Sequence, residues 1–600
     1  MAVRVYEEVW EVESEMLHPA ASEPFVAHGV ATYPRPRLEK SGQRGMVSLN
    51  TIVLENEFVR AVVVPDLGGR LLDISDKRAG KVLWPKPKTI VPMASGHGFE
   101  LPIGLQPGFE PLAPVSSSMF ESPTDSGPSG VFVGGLTRRL DWTYGYALKP
   151  ETAEIIVDVR VHNRTLSVED VQLTLMLDAE KCRYQCSDSH ISGFCDEFGV
   201  GFSLSWAEQF LSSAAKAGTR CQLNLTGLRE GQILPLASRT WSFTLSPVFG
   251  LAGLTGYQSG ITVHTDGRDL ALVSSRPMKG AKVYVACARG NDLESEVDLG
   301  VGEILTASAP ESISSVAVRL SPHEPVLVLD PGHPVEGTVD IRPQSPSVAA
   351  NGISRASREC YRPVTGPKSP ENREEALFAA FSTHTEPPSA TPGLEAALAL
   401  YRAQLAMHQN DFAAASEHLD EALLRSGDDQ IAWWAKAVVE RMTNVQDDER
   451  AAILNAQFLA PLDPLLRAEA FLSTPLTEAP GPSPLVKPLA DDPNALLDVL
   501  GHLVDWGRIQ DASRLIDESL KHRDTRLVRY FYAWCLLKFS RMEVEAAEQV
   551  RRASAMEADP PFPVRPNECR AVLDLETKFP NDPALKSLAD IVRTFALESL

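Results

Sequence analysis

Residues 54–70, LENEFVRAVVVPDLGGR, decide the first half of the fold. Val59, Ala61 and Val63 alternate with Phe58, Arg60, Val62 and Val64, and β-branched residues dominate, which is the pattern of a strand. Pro65 has no N–H for a ladder and closes it. Gly68 and Gly69 permit a tight bend at positive φ. Leu71, Leu72 and Ile74 open a second strand, and the polar run Asp76–Lys81 turns into a third. The expectation is an antiparallel opening.

Extended by one strand, LENEFVRAVVVPDLGGRLLDISDKRAGKVLW resembles the start of a galactose-mutarotase-like β-supersandwich, where a Pro-x-x-Gly-Gly-Arg turn joins two strands. About 90 residues downstream, WTYGYALKPETAEIIVDVRVHNRT is similar to the central strands of that superfamily. Arg276–Tyr284 resembles a late strand pair. The resemblance is to a bacterial family of unknown function with tetratricopeptide-like helices after the sandwich. It implies a carbohydrate-binding front domain.

The residues support that order independently. Ile155, Val157, Val159 and Val161 alternate with Ile156, Asp158, Arg160 and His162, giving one buried and one wetter face. Short strands recur to about residue 345, with turn residues between them, as in a sandwich. Before the opening stretch, strands are expected at Arg4–Val12 and Phe25–Tyr33 and a polar loop at Pro34–Arg44. Lys86 to Pro128, rich in Gly, Pro and Ser, is expected to be a binding loop.

Beyond Gly393 the hydrophobic period changes from 2 to 3.6. Phe412, Ala415, Leu419, Ala422 and Leu423 recur as Ile509, Ala512, Ile516, Ser519 and Leu520. Ala512 to Ala546, Ile516 to Val550 and Ser519 to Ala553 are each offset by 34 residues, the tetratricopeptide period. The Pro-rich stretch Ala460–Asn494 is expected to interrupt the array. Three regions follow: a carbohydrate-binding antiparallel β-supersandwich over 1–345, a Pro/Ser-rich linker over 346–393 that includes one docking helix at Ala376–Phe381, and a helical repeat solenoid over 394–600.

The net charge of −22 argues against nucleic acid and anionic membranes as partners. No apolar run is long enough for a membrane span, and the N-terminus lacks the basic and apolar regions of a signal peptide, so a cytoplasmic protein is expected. The expected partner is a sugar or oligosaccharide, with a homodimer or protein partner through the repeats. No cofactor is expected, because no phosphate-cradling Gly loop lies where a strand feeds a helix.

Glycoside chemistry needs a proton donor and a second acid or base, in an aromatic-lined site. The candidate catalytic residues are Glu100, Glu110 and His190. Candidate substrate contacts are Arg70, His97, Trp142 and Tyr144, the aromatics for stacking on a pyranose face. Each also has a plain reading, as a solvated acid or a core aromatic. In the mutarotases the resemblance implies a mid-chain His, matched by His190, and a late Glu; nothing around Glu296 or Glu303 matches, so that Glu is not carried over. Cys182, Cys186, His190 and Cys195 form a metal-type cluster without the C-x-x-C spacing, and no metal is expected. The expected function is an intracellular glycoside hydrolase, with an aldose epimerase or a non-catalytic sugar-binding module as alternatives.

Overall fold

The structure is a computed structural model. It describes residues 2–596 except 20–25, 28–29, 32–37, 78–79, 93–98, 101–103, 108–114, 123, 125, 137–139, 164–168, 171–172, 179–182, 187–189, 196–198, 207–209, 218–219, 228–231, 234–236, 322–325, 330–332, 335–394, 444–445, 475–481, 484, 557–562 and 564–565. Some neighbouring side chains, Glu100 and Gln106 among them, also lie outside the description. The expected docking helix at Ala376–Phe381 falls outside the described residues.

A β-rich front is followed by a helical array. In chain order the two large sheets draw on β1 (Arg4–Pro19), β2 (Leu38–Glu55), β3 (Val59–Val64), β4 (Arg70–Asp76), β5 (Gly104–Pro107), β6 (Ser116–Phe120), β7 (Ser129–Leu136), β8 (Leu140–Leu148), β9 (Ile155–Asn163), β10 (Leu173–Asp178), β11 (His190–Cys195), β12 (Val200–Trp206), β13 (Phe210–Ala217), β14 (Arg220–Gly227) and β15 (Ser238–Phe249). The first sheet runs β13-β14-β10-β5-β4-β3-β2-β1 and ends in two short strands, Thr89–Pro92 and Phe99–Glu100. The second runs β6-β7-β8-β9-β15-β12-β11, then Arg183–Cys186 and His333–Pro334. Described pairings are antiparallel except that β1 meets Thr89–Pro92 in parallel, at Glu13↔Thr89 and Ser14↔Ile90.

The opening stretch folds as its residues dictate. β3 ends at Val64, Pro65–Leu67 makes one 3₁₀ turn, and Gly68 and Gly69 take φ of +71° and +74° before Arg70 starts β4. Gly69 is required twice over: a Cβ there would lie 2.5 Å from Val133 Cγ2 of the facing sheet. Val82–Leu83 then pairs back on Ile74 and Ser75 as the third strand. Ile155, Val157, Val159 and Val161 of β9 are fully buried in the shared core with Val62, Leu71, Trp142 and Phe243.

Two expectations need correction. The polar loop at Pro34–Arg44 is strand from Leu38 onward, because β2 pairs with β1 along its length and Arg44 meets Glu13 at 3.3 Å on the exposed surface. The Lys86–Pro128 region is not structureless. It supplies β6 and also β5, which joins β4 at Leu105↔Leu71 and β10 at Gly104↔Asp178. Gly104, at φ +96°, lets β5 pass within reach of the Leu71 carbonyl, which a Cβ would approach to 2.5 Å. Strands between Gly256 and Val328 build two four-stranded sheets with their own core of Ile261, Val263, Leu272, Val283 and Val318.

The helices are α1 (Glu395–His408), α2 (Phe412–Arg425), α3 (Gln430–Thr443), α4 (Gln446–Leu459), α5 (Pro464–Leu472), α6 (Lys487–Asp491), α7 (Pro493–Asp505), α8 (Ile509–His522), α9 (Arg526–Cys535), α10 (Glu543–Ser554), α11 (Pro566–Lys578) and α12 (Pro583–Ala596). Small residues of the repeat are its closest contacts: Ala415, Ala512 and Ala546 are each fully buried, with Leu419, Ile516 and Val550 one turn on. Within the Pro-rich stretch Ala460–Asn494 helices are described at Pro464–Leu472 and Lys487–Asp491, and residues 475–481 and 484 between them lie outside the description. Pro464 sits in the first turn of α5, whose N-terminus is capped by Asp463 accepting from the Leu465 N–H at 2.7 Å, a place where a missing N–H costs nothing.

Candidate functional site

Strand periodicity places every second residue of β8 on one face. Trp142, Tyr144 and Tyr146 therefore share the face turned to the first sheet, and all three are buried there. Trp142 meets Tyr144 edge-on at 5.9 Å between ring centroids, and Tyr144 lies 6.3 Å from Tyr146. Tyr144 and Trp241 sit in one register row, joined through Val159 of β9. Arg239 stacks its guanidinium 5.2 Å from the Trp241 ring. From the facing sheet Arg70 enters at the end of the Gly68-Gly69 bend, 2% exposed, close enough for its charge to bear on Tyr146. Burial drives the Tyr146 phenol well above its ordinary range, Tyr144 adds to the rise, and Arg70 opposes it.

The result is an intersheet wall of indoles, phenols and guanidinium in which Arg70, Trp142, Tyr144, Tyr146 and Trp241 are each at most 2% exposed, the aromatics packed in the core as their plain reading has it. Rings of this kind stack on apolar sugar faces, and N–H and O–H groups bond ring hydroxyls. The Tyr146 hydroxyl and the Trp241 indole N–H are buried without a hydrogen-bond partner among the described residues. Such groups are costly to leave unmet unless a ligand meets them.

Of the residues expected from sequence, Arg70, Trp142 and Tyr144 come together on this wall. Tyr146, Trp241 and Arg239, not singled out from the sequence, stand on the same face. The signal for Tyr146 was its spacing of two from Tyr144; Trp241 and Arg239 sit at the same alternate positions of a recognised strand. His190 goes elsewhere. On β11 its neighbour Ile191 is in the core, so His190 points to the opposite face, with its ring 5.3 Å from that of Tyr257. Three strands separate β11 from β8, roughly 19 Å at the usual strand spacing. The expected shared hollow is thus not formed by His190 with Trp142 and Tyr144. Tyr257 instead bonds the Gly260 N–H and lies within 3.3 Å of the Ser205 and Ser246 hydroxyls. A cavity of about 20 Å³ lined by Ser246, Thr262 and Ser275 opens beside this network, room for one water molecule. Glu100 lies in the short strand Phe99–Glu100, its side chain outside the description; His97 and Glu110 lie outside the described residues. Glu296 and Glu303 are exposed.

The other face of the same strands is a seam with the helices. Asp141, one residue before Trp142, is buried and accepts from Gln430 Nε2 of α3 at 2.5 Å. Arg160 of β9 donates to the Ser238 hydroxyl at 2.8 Å, and that hydroxyl lies 3.0 Å from His162 Nδ1. Burial lowers the Arg160 pKa, and the charges of Asp428 and Asp141 oppose that shift. Arg467 of α5 donates to the Ser117 carbonyl of β6 at 3.3 Å. Asp429 accepts from the Ile431 and Ala432 N–H groups at 2.9 and 3.2 Å, capping α3. Its second carboxylate oxygen is buried with no hydrogen bond among the described residues, and burial pushes its pKa up to about 7 against those two bonds.

Among the described residues no three His, Cys, Asp or Glu side chains are grouped to hold a metal ion. Cys182 and the Cys186 side chain lie outside the description, and Cys195 is a buried free thiol. No described helix is long and apolar enough to cross a membrane.

No protein-family model and no curated protein matches the chain by sequence. Solved structures are similar in outline. A TPR-domain protein from Parabacteroides distasonis aligns with 94% of this chain and 98% of its own, at 13% identity and a TM-score of 0.34. A galactose mutarotase-like protein from Clostridium acetobutylicum aligns with 34% of this chain and 96% of its own, at 8% identity and a TM-score of 0.24. A 4-alpha-glucanotransferase from Thermococcus litoralis aligns with 33% of this chain and 37% of its own, at 8% identity and a TM-score of 0.22. With these TM-scores below 0.5, the functional reading rests on the residues themselves.

Proposed function

We propose that the chain is a carbohydrate-active protein, a glycoside hydrolase whose sugar reaches Arg70, Trp142, Tyr144, Tyr146 and Trp241 when the packing between the sheets, which leaves each at most 2% exposed, opens to admit it. The observation that carries this reading is the pair of buried polar groups on that wall, the Tyr146 hydroxyl and the Trp241 N–H, without partners among the described residues. A pyranose supplies both an apolar face for the rings and hydroxyls for these groups. Glu100 and Glu110, which flank β5 in the sequence, are the proposed acid pair.

His190 on the opposite face removes support from the epimerase alternative, which needs it beside the sugar. The non-catalytic alternative keeps support, because binding at the wall would need no acid.

The test is a panel of nitrophenyl glycosides and free monosaccharides, read by thermal shift and nitrophenol release. The expected result is release from at least one glycoside, falling by 10²-fold or more in Glu110→Gln, the usual worth of a proton donor. Sugars that shift the melting point with no glycoside cleaved and no anomer interconverted would leave a binding module. No shift with any sugar would remove the carbohydrate reading.

A further inference from the structure

The helical array meets three adjacent strands of the second sheet, β6, β7 and β8, and its charge reaches a fourth, β9. Arg467 bonds Ser117 of β6. Leu462 packs on Gly134 of β7, where a Cβ would lie 3.0 Å from Leu462 Cδ1. Gln430 bonds Asp141 of β8, and the charge of Asp428 acts on Arg160 of β9. These contacts come from α3, from α5, and from the residues just before each helix, so they form one continuous footprint.

β8 belongs to both structures at once. A strand alternates faces residue by residue, about 3.4 Å apart along the chain. Fixing Asp141 from outside therefore fixes Trp142 inside, and Thr143 and Tyr144 after it. The Gln430–Asp141 bond is buried at both ends, Asp141 at 9% and Gln430 at 2% exposure, so water does not compete for it. Asp429, next in the chain, anchors that glutamine by capping the helix it begins.

We infer that Gln430 and Asp141 are positioning residues: the helical array holds β8 in the register and tilt that set the ring wall, and so acts on sugar binding without touching the sugar. This rests on the proposed carbohydrate site for its functional half. The mechanical half stands alone, because it concerns the order of β8.

The experiment is hydrogen exchange on the full chain, wild type against Gln430→Glu, which places a second carboxylate against Asp141. Amides of residues 140–148 are expected to exchange at least tenfold faster, while those of β3, residues 59–64, stay unchanged. Asp141→Asn keeps an acceptor for Gln430 and is expected to leave both regions as in wild type. If Gln430→Glu fails to fold, Gln430→Ala removes the donor without adding charge and is read the same way. For any nitrophenyl glycoside turned over by wild type, KM is expected to rise at least threefold in Gln430→Glu with kcat within twofold. Protease sensitivity appearing between α3 and α5 while β8 exchange stays constant would overturn the inference, as would faster β8 exchange with unchanged KM. If wild type takes no sugar, the carbohydrate reading fails, and the exchange result alone decides the mechanical half.

Discussion

Arg441 in the helical half and Arg70 in the sheets are both drawn largely out of water, and the fold treats them differently. Arg441 of α3 sits between acids: Nε lies 2.5 Å from Glu469, Nη2 lies 3.0 Å from Asp511, and Arg508 reaches the same Asp511 at 3.2 Å. Glu469 is fully buried, and Arg441 opposes the pKa rise that burial imposes on it. Arg70 sits instead at a wall of phenols and indoles, where the Tyr146 and Trp241 polar atoms have no described partner. In the helices this ionic chemistry is consumed in holding α3, α5 and α8 together. In the sheets the Tyr146 hydroxyl and the Trp241 N–H are buried without a hydrogen bond among the described residues, and the proposed sugar would meet them.

Breaking the helical arginine gives the largest effect. Arg441→Ala leaves Glu469 buried without its cation, and unfolding of the helical half is expected to lose about 3–5 kcal/mol, by urea titration followed by circular dichroism. A loss under 1 kcal/mol would mean that Glu469 takes up a proton at little cost, and the contrast with Arg70 would then weaken.

Between the halves, Asp429 ties stability to pH. Its pKa is raised by burial from an ordinary 3.8 to about 7. A raised carboxyl stabilises the fold fully below about pH 4, progressively less as pH rises, and no longer above about 7. The other titratable and charged groups of the seam are Asp428 beside it, Asp141 from β8, and Arg160 and His162 from β9. At 1.36 kcal/mol per pKa unit the window spans about 4 kcal/mol. The quantity to follow is the stability difference between wild type and Asp429→Asn from pH 4 to 8. It is expected to move in favour of the variant as pH rises and then flatten. A difference that stays constant with pH would place Asp429 in contact with water.

The sheet side predicts the opposite sign. Tyr146→Phe removes a hydroxyl that has no described partner, so the fold is expected to be unchanged or more stable by up to about 1 kcal/mol. Affinity for a sugar that shifts the wild-type melting point is expected to fall about tenfold, the worth of one lost hydrogen bond of about 1.4 kcal/mol. A stability loss of 2 kcal/mol instead would make Tyr146 an ordinary core residue.

How much of this was legible depended on the distance over which each signal acts. The Val59–Arg70 opening and the 34-residue return are local, set by turn chemistry and period, and the structure follows both. Lys86–Pro128 misled because Gly and Pro composition signals a loop, whereas Gly104 is there so that β5 can pass close to β4. Within Ala460–Asn494, Pro464 begins a helix rather than ending one, which proline composition alone does not announce. The Arg70, Trp142 and Tyr144 group was reachable because strand alternation fixes faces. His190 was not, since its residue type suited the chemistry while its parity with Ile191 turned it to the other side. The Asp141–Gln430 contact joins positions 289 residues apart, and nothing local announces it.

The smallest expected effect tests whether the helical half spends its polar groups on local structure. Ser519 stands where the other repeats place Ala422 and Ala553, all three essentially buried. Its hydroxyl donates to the Ile516 carbonyl at 2.8 Å, within its own helix, so it carries no load between helices. Ser519→Ala loses that bond and gains helix propensity, and the hydroxyl's removal leaves behind only a carbonyl of the helix itself. The two effects nearly cancel, and stability by urea titration is expected to stay within about 0.5 kcal/mol of wild type. A loss above 1.5 kcal/mol would show that the repeat interface uses this hydroxyl across helices. The array would then share the polar economy of the sheets, and the distinction drawn from Arg441 and Arg70 would not extend beyond those two residues.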